Sequence, residues 1–177
     1  MPQLVLGKEY EKKFLVRVGE LPHGLLKNGQ EIEQGYLSLS PQVRVRLMGG
    51  EGILELKADE NIEIELGRVS LAEGRRLLRA YASNIASVIH KERHVFPTGF
   101  DALKWEIDFF RGENEGLVIA ELEMPKKNYV LKRKRRPAWL GEEVTDDPRF
   151  KNKNLAVRPF TSWSKSDRKQ ILKIMGI

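Results

Sequence analysis

Cysteine is absent from this chain of 177 residues. Without thiols the chain can form no disulfide, no zinc site built on thiolates and no cysteine nucleophile, so proteins that depend on these groups are excluded. The absence also fits a reducing compartment, and we expect the protein in the cytoplasm.

Long apolar runs are missing as well. No segment approaches the roughly 20 residues of a membrane-spanning helix. The first residues, MPQLVLGKEYEKK, become charged too early for a signal peptide. The sequence therefore predicts a soluble protein without a membrane partner.

Acidic residues are outnumbered by basic ones, 25 against 31, which gives a net charge of +6 and a pI near 9.5. This excess favours an anionic partner, although composition alone does not separate nucleic acid, polyphosphate and membrane surface. One basic run, KKNYVLKRKRR at 126–136, is the only hint of nucleic acid. Such runs are more often solvated loops, so we expect a small polyphosphate rather than nucleic acid.

Alternating polar and apolar residues, the pattern of β-strands, dominate the chain. Turn sequences such as Ser40-Pro41 and Gly112 to Gly116 separate these segments, and short connections predict antiparallel neighbours. The predicted strands lie at about 4–17, 33–39, 42–48, 52–57, 62–69, 87–95, 102–111 and 117–124.

Helices are fewer. Ser70 and Glu73 form a capping-box pattern at the start of a predicted helix over 70–82, and a second helix is predicted from Ser164 to Met175. A short helix around 147–156 has a weaker pattern. Because no linker or repeat divides the chain, the sequence predicts a single strand-dominated α+β domain over residues 1–177.

Charged residues recur two positions apart within these strands, and residues two apart share one face of a strand. The alternate positions, such as Val43, Val45 and Leu47, are apolar and must pack against something. The charged sets are Glu9, Glu11 and Lys13; Arg44 and Arg46; Glu55 and Lys57; Glu63 and Glu65; Lys91 and Arg93; Lys104, Glu106 and Asp108; and Glu121 and Glu123.

The commonest fate of such a face is exposure to solvent. Here, however, like charges recur as close pairs, which repel each other unless a cation or a polyanion bridges them. We therefore interpret the pattern as an antiparallel β-barrel with the charges inside, the apolar face outside and helices packed on the exterior.

The same residues resemble the triphosphate tunnel metalloenzymes, also called the CYTH family, over nearly the whole chain. The resemblance rests on the following motifs in order: Glu9-Tyr10-Glu11-Lys12-Lys13-Phe14-Leu15-Val16, Gln34-Gly35-Tyr36-Leu37, Arg44-Val45-Arg46, Leu56-Lys57, Glu63-Ile64-Glu65, Lys91-Glu92-Arg93, Glu106-Ile107-Asp108, Glu121-Leu122-Glu123, Trp139 to Asp147 and Lys151 to Ala156. The family fold that this implies is an eight-stranded antiparallel tunnel.

The resemblance also implies roles. The phosphate-binding residues would be Lys13, Arg44, Arg46, Lys57, Lys91 and Arg93. The ligands of an activating Mg²⁺, or Mn²⁺ in its place, would be Glu9, Glu11, Glu121 and Glu123. The catalytic set, which would position the attacking water or a second metal ion, would be Glu63, Glu65, Asp108 and Lys91.

The expected activity is metal-dependent hydrolysis of a linear triphosphate, with inorganic tripolyphosphate first because the C-terminal motif is similar to that of the compact bacterial tripolyphosphatases. A class IV adenylyl cyclase and a thiamine or nucleoside triphosphatase are alternatives. A polyphosphate- or RNA-binding module is the alternative outside enzymes, and a homodimer is left open.

One departure from the family pattern lies inside the predicted tunnel. The family commonly has threonine two residues before the strand lysine, whereas this chain has Glu55 before Lys57. Glu55 adds a carboxylate to the charged face, and its effect on specificity is left open.

Overall fold

The computed structural model describes residues 7–8, 10–57, 62–126 and 129–177. Ten strands form one antiparallel sheet: β1 Gly7–Lys8, β2 Tyr10–Val16, β3 Gln30–Leu39, β4 Gln42–Met48, β5 Glu51–Lys57, β6 Ile62–Ser70, β7 Ile89–Pro97, β8 Lys104–Arg111, β9 Val118–Met124 and β10 Leu140–Glu143. Three α-helices accompany the sheet: α1 Leu71–Ala80, α2 Asn152–Val157 and α3 Lys165–Met175. Within these described ranges, no helix has the length and apolar character needed to cross a bilayer.

The N-terminal segment, which contains β1 and β2, pairs with the first and with the last of the other long strands in the sheet order. The strand order is β1-β6-β5-β4-β3-β7-β8-β9-β2-β10, so β1 pairs with β6 while β2, which follows after one residue, pairs with β9. Counting β1 and β2 as one segment, the order returns to its starting point after eight strands. This is the connectivity of the eight-stranded antiparallel barrel that the sequence predicts.

The predicted strands are confirmed, with ends shifted by a few residues. The strand predicted over 4–17 begins among residues outside those that the structure describes. Strand β10 was missed because its four residues, LGEE, contain too little alternation to be recognised. It extends the sheet by pairing with β2 through Leu140 and Glu143.

The helix predictions are confirmed at both strong sites. Ser70 and Glu73 form the predicted capping box at α1. The Ser164 hydroxyl accepts from the Asp167 N–H at the start of α3, and Gly176 ends that helix with φ +74°. The weaker prediction at 147–156 divides into a 3₁₀ turn, Pro148–Phe150, and α2, because Lys151 between them is extended.

The apolar face of the sheet packs against the helices and the C-terminal segment. Phe14, Trp105 and Leu122 are buried there, and Trp139 lies across Trp105 with ring centroids 5.2 Å apart. The exterior core therefore holds the sheet from outside and leaves its other face to the charged residues.

Glycines in two of the motifs allow close packing around the sheet. A Cβ at Gly35 would lie 2.7 Å from Ala82 Cβ and 2.7 Å from Leu78 Cδ2, so α1 and the turn after it could not approach β3. A Cβ at Gly141 would lie 2.7 Å from the Leu15 carbonyl oxygen, against which β10 packs. Both glycines thus serve the fold rather than the chemistry.

Candidate active site

The strand register places the predicted charged residues on one face of the sheet. Residues directly opposite each other in antiparallel strands share a face. Glu121 lies opposite both Lys13 and Glu106, and Arg93 lies opposite Asp108. On the other strands Arg44 lies opposite Glu55. The alternation read from the sequence is therefore confirmed, and this face lines the interior of the barrel, which we call the bore.

We divide this inner face into two groups. Among the described residues, the acidic half, on β2, β7, β8 and β9, holds three cations and five carboxylates: Lys13, Lys91, Arg93, Glu11, Glu106, Asp108, Glu121 and Glu123. The arginine half, on β4, β5 and β6, is the group of described residues joined by ion pairs around Arg44, with three cations and two carboxylates: Arg44, Arg46, Lys57, Glu55 and Glu63.

Within the acidic half, Arg93 makes the most contacts. Its Nε and Nη2 atoms donate to the two Asp108 oxygens at 2.6 Å each, a bidentate pair. Its Nη2 also donates to Glu121 Oε2 at 2.8 Å, and its Nη1 donates to Glu106. Arg93 is therefore held in one orientation by carboxylates of two neighbouring strands.

Two lysines complete these contacts. Lys13 Nζ donates to Glu121 and lies 3.0 Å from Glu11 Oε1. Lys91 Nζ donates to Asp108 Oδ2 at 2.5 Å, and the side chains of this pair are 2% and 0% exposed. Both residues belong to the face that lines the bore, although their side chains are almost closed to solvent.

Burial sets the pKa values in this half. Burial lowers the pKa of Lys91 to about 8, and the neighbouring Arg93 charge adds to the effect, so the lysine binds its proton less firmly than usual. Burial would raise the pKa of Asp108, but the charges of Lys91 and Arg93 lower it overall. Asp108 therefore stays ionised although it is fully buried.

Glu106 is affected both by burial and by the neighbouring carboxylates. Burial raises its pKa, and the charges of Glu121, Glu123 and Asp108 add to the effect against the opposing charge of Arg93. Glu11 and Glu123 also lie directly opposite each other on β2 and β9. Like charges placed this way repel, and an additional cation would relieve that repulsion.

The donor set fits a hard divalent cation. Carboxylate oxygens are the ligands that Mg²⁺ and Mn²⁺ prefer, and Glu11, Glu121 and Glu123 provide them on adjacent strands. Glu9, the fourth predicted ligand, lies outside the described residues. Among the residues that the structure describes, no group of three His, Asp or Glu side chains already has metal-binding geometry.

The arginine half is held by a shorter chain of ion pairs. Arg44 Nε donates to Glu55 Oε2 at 2.8 Å, and Arg44 Nη2 donates to Glu63 Oε2 at 2.6 Å. Lys57 Nζ lies 3.6 Å from Glu63 Oε1, and Arg46 Nη2 lies 3.3 Å from Glu55 Oε2. Two carboxylates thus serve three cations.

Arg46 is the least satisfied of these cations. Its Nε atom is buried and has no acceptor within the described part of the chain. Burial lowers its pKa, and the charges of Arg44 and Arg93 lower it further. An anion placed beside Arg46 would supply the missing acceptor and the missing negative charge.

The two halves meet around Tyr36 on β3, which the sequence analysis did not include in the site. Burial raises the pKa of Tyr36 to about 12, against the charges of Arg44, Arg46 and Lys13. Lys13 lies on β2, separated from β3 by three strands in the sheet, so its influence comes across the bore. The Gln34 amide donates to the Tyr36 hydroxyl at 2.8 Å. The polar i, i+2 pair within the QGY motif was the signal that could have identified both.

The remaining predicted residues are less enclosed. Glu65 lies opposite Glu55 in the register, and its carboxylate accepts from Arg68 Nε at 2.8 Å, an arginine whose side chain is 54% exposed. Glu123 is exposed, and the Lys57 side chain is 28% exposed.

The basic run is partly attached to the barrel. Arg135 pairs with Asp101 in the β7–β8 turn and lies over the Phe100 ring, and the Arg136 guanidinium lies over Phe14. Lys132, Arg133 and Lys134 are exposed. This agrees with the expectation of a mostly solvated loop.

Comparisons with known proteins point to one activity. No model of a protein family matches the chain. An inorganic triphosphatase from Acetivibrio thermocellus is 39% identical over 164 residues, which cover 89% of this chain and 99% of the relative. An inorganic triphosphatase from Nitrosomonas europaea is 30% identical over 164 residues, which cover 84% of this chain and 97% of the relative.

Solved structures agree with these relatives. The crystal structure of an inorganic triphosphatase, 30% identical in sequence, matches with a TM-score of 0.61 over 84% of this chain and 94% of its own. A candidate adenylate cyclase from Bacillus halodurans, 11% identical, matches with a TM-score of 0.50 over 69% of this chain and 83% of its own. At that identity the second likeness concerns the fold alone.

Proposed function

This chain belongs to the family of the inorganic triphosphatases, and on that premise we propose that it hydrolyses inorganic tripolyphosphate to diphosphate and phosphate with a divalent metal ion. The observation that carries the proposal is the pairing, around one bore, of an acidic half in which carboxylates outnumber cations with an arginine half in which Arg46 Nε has no acceptor among the described residues. A linear polyphosphate with a bound metal ion would satisfy both deficits together.

The phosphate groups are proposed to bind the cations that line the bore: Lys13, Arg44, Arg46, Lys57, Lys91 and Arg93. Arginine can grip two phosphate oxygens at once, whereas lysine acts as a point charge. Arg93 is held ready for this by its bidentate pair with Asp108. Lys91 also donates to Asp108 Oδ2 and would hold that carboxylate in place.

The metal ligands are proposed to be Glu9, Glu11, Glu121 and Glu123, with Glu106 close by. Mg²⁺ or Mn²⁺ would neutralise charge on the phosphate oxygens as the bond to the leaving group breaks. Glu121 also binds Lys13 and Arg93, so it fixes two cations next to the metal position.

The water that attacks the terminal phosphate is proposed to be positioned by Glu63, Glu65, Asp108 and Lys91. Contacts support Glu63 most directly, because its carboxylate lies in the bore between Arg44 and Lys57. Phosphoryl transfer asks little covalent chemistry of a protein, so clamping the chain and stabilising developing charge supply most of the catalysis.

The proposal also covers the enzyme family, the domain organisation and the cellular location of the chain. We place the chain among the triphosphate tunnel metalloenzymes as one CYTH-type domain over residues 1–177, acting in the cytoplasm on a small polyphosphate rather than on nucleic acid. The hydrogen-bonded register of the eight long strands supports that assignment. Gel filtration with light scattering would show whether the protein forms a homodimer.

Phosphate release tests the activity. The purified protein is incubated with Mg²⁺ or Mn²⁺ and, separately, tripolyphosphate, ATP, thiamine triphosphate and diphosphate, with EDTA as a control. We expect metal-dependent release that is fastest from tripolyphosphate and lost in Glu123→Gln. The matched variant Glu115→Gln, which removes an exposed carboxylate from the β8–β9 turn, should keep full activity.

Two results would overturn the proposal. Formation of cyclic AMP from ATP would indicate an adenylyl cyclase. Anion binding that is indifferent to EDTA, with no turnover of any substrate, would indicate a binding module.

A further inference from the structure

Glu55 is the one carboxylate of the arginine half to which the proposed mechanism gives no role. Its side chain is 14% exposed, and its Oε2 atom accepts from Arg44 Nε at 2.8 Å while lying 3.3 Å from Arg46 Nη2. Burial would raise its pKa, but the hydrogen bond from Arg44 and the charges of both arginines lower it overall. Glu55 is therefore an ionised carboxylate held between two arginines.

Arg44 has little capacity left for a phosphate while this contact lasts. Arg44 Nε donates to Glu55, and Arg44 Nη2 donates to Glu63 at 2.6 Å. Arg46, by contrast, keeps a buried Nε atom without an acceptor among the described residues. The two arginines therefore share one carboxylate, and that carboxylate lies where a phosphate group would make both contacts.

We infer that Glu55 is a specificity-determining residue: an internal counterion that occupies the Arg44–Arg46 pair until a phosphate group of the substrate displaces it. The inference rests on the proposed function, because it concerns the same bore and the same arginines. A carboxylate carries a single negative charge, whereas an inner or terminal phosphate brings its own charge together with that of the rest of the chain.

The consequence is selection by charge. A triphosphate, held also by the cations of the acidic half, has enough electrostatic attraction to replace the carboxylate. Orthophosphate and diphosphate have fewer phosphate groups with which to reach both halves, so they compete less well. Glu55 thereby weakens the binding of products more than the binding of substrate, and it returns to the arginines when the products leave.

Binding without turnover tests this directly. Isothermal titration in EDTA measures the affinities of tripolyphosphate, diphosphate and orthophosphate for the wild type, Glu55→Gln, Glu55→Thr and Glu55→Asp. The control is Glu51→Gln, which removes the same charge from the same strand at a side chain that is 42% exposed and paired with Arg68.

We expect both neutral variants to bind diphosphate about tenfold more tightly, the size of one charge-assisted hydrogen bond. Tripolyphosphate should gain less, so the ratio between substrate and product affinities should fall. Glu55→Asp and Glu51→Gln should stay within about twofold of the wild type, since each leaves the charge at the arginine pair in place. In turnover assays, the neutral variants should show a lower KM and stronger inhibition by diphosphate.

Weaker or unchanged anion binding in both neutral variants would overturn the inference and show that Glu55 holds Arg44 in a productive orientation. Failure of both to fold, followed by circular dichroism, would equally show a structural role. A wild type that binds these anions but hydrolyses none would refute the proposed function and leave the result on Glu55 standing.

Discussion

The acidic half and the arginine half of the bore are both built from basic and carboxylate side chains, but the two halves differ in how fully those charges are paired and buried. In the acidic half, the members of the central ion pairs are nearly inaccessible, with Lys91 2% exposed, Asp108 0% and Glu121 8%. In the arginine half, Arg46 is 20% exposed and Lys57 28%. The ion pairs at the centre of the acidic half are buried framework, whereas two cations of the arginine half remain partly open to a ligand.

The difference shows how charge can serve two purposes in one barrel. Buried ion pairs hold side chains in fixed orientations at a considerable cost in desolvation. Cations that are only partly paired and still partly exposed bind an anion at less cost, because a partly exposed charge has lost less of its hydration. Four changes test whether the two halves divide the work in this way.

The largest effect should follow Glu121→Gln. This change removes a proposed metal ligand and the carboxylate shared by Lys13 and Arg93. Turnover of tripolyphosphate should fall by roughly 100-fold or more, as for loss of one electrostatic element of a phosphoryl- or acyl-transfer site. The half-saturating Mg²⁺ concentration should rise, whereas in Glu63→Gln, in the arginine half, it should not. Equal metal requirements in both variants would remove the functional distinction between the halves.

The second-largest difference between the halves should appear in the free energy of unfolding. Asp108→Asn leaves Lys91 and Arg93 buried beside a neutral amide, so the free energy of unfolding should drop by about 3–5 kcal/mol. Glu63→Gln removes a carboxylate that is 15% exposed and should cost about 1 kcal/mol. Urea unfolding followed by tryptophan fluorescence measures both. Similar losses in the two variants would contradict the assignment of the framework to the acidic half.

A smaller effect is expected at the substrate-facing arginine. Arg46→Lys keeps the charge but loses the planar fork, so KM for tripolyphosphate should rise about tenfold with little change in kcat. Arg68→Lys, at a side chain 54% exposed outside the two halves, is the matched control and should change KM by less than about twofold. A kcat effect without a KM effect at Arg46 would place that residue in the chemical step instead.

The smallest effect should come from the basic run. Replacing both Arg133 and Lys134 by alanine removes two exposed cations from the loop after β9. Hydrolysis of tripolyphosphate should change by less than about twofold at physiological ionic strength, because solvent and salt screen exposed charges. A clear rise in KM that disappears at high salt would show that the loop attracts the substrate.

The barrel could be predicted from sequence because its information is local and repetitive. Alternation fixes which residues of a strand share a face, and turns such as Ser40-Pro41 fix antiparallel pairing. Strand β10 was not predicted because its four residues, LGEE, are too few to show an alternating pattern. Its position depends on Gly141 allowing contact with the Leu15 backbone, a tertiary fact that no window of sequence contains.

The residues that share the inner face could be predicted from sequence, but the contacts among them could not. The alternation of side chains predicts that Arg44, Glu55 and Glu63 share one face. The structure adds that Glu55 and Glu63 both accept hydrogen bonds from the Arg44 guanidinium. It also gives Glu65 a partner different from those of Glu63, because the Glu65 carboxylate accepts from Arg68. Which partner a long charged side chain contacts depends on distances set by strand tilt and barrel curvature. The alternation of the sequence does not encode those distances.

The N-terminal segment, which pairs with β6 through β1 and with β9 through β2, has a consequence for how the protein folds. The contact between Lys13 and Glu121 joins residues 108 positions apart. On the ribosome, β2 therefore emerges early and waits unpaired until β9 has been made. Because such distant pairings are slow to form, we expect the proposed metal position to be among the last parts assembled, so that during refolding triphosphatase activity returns after most of the strand signal in circular dichroism.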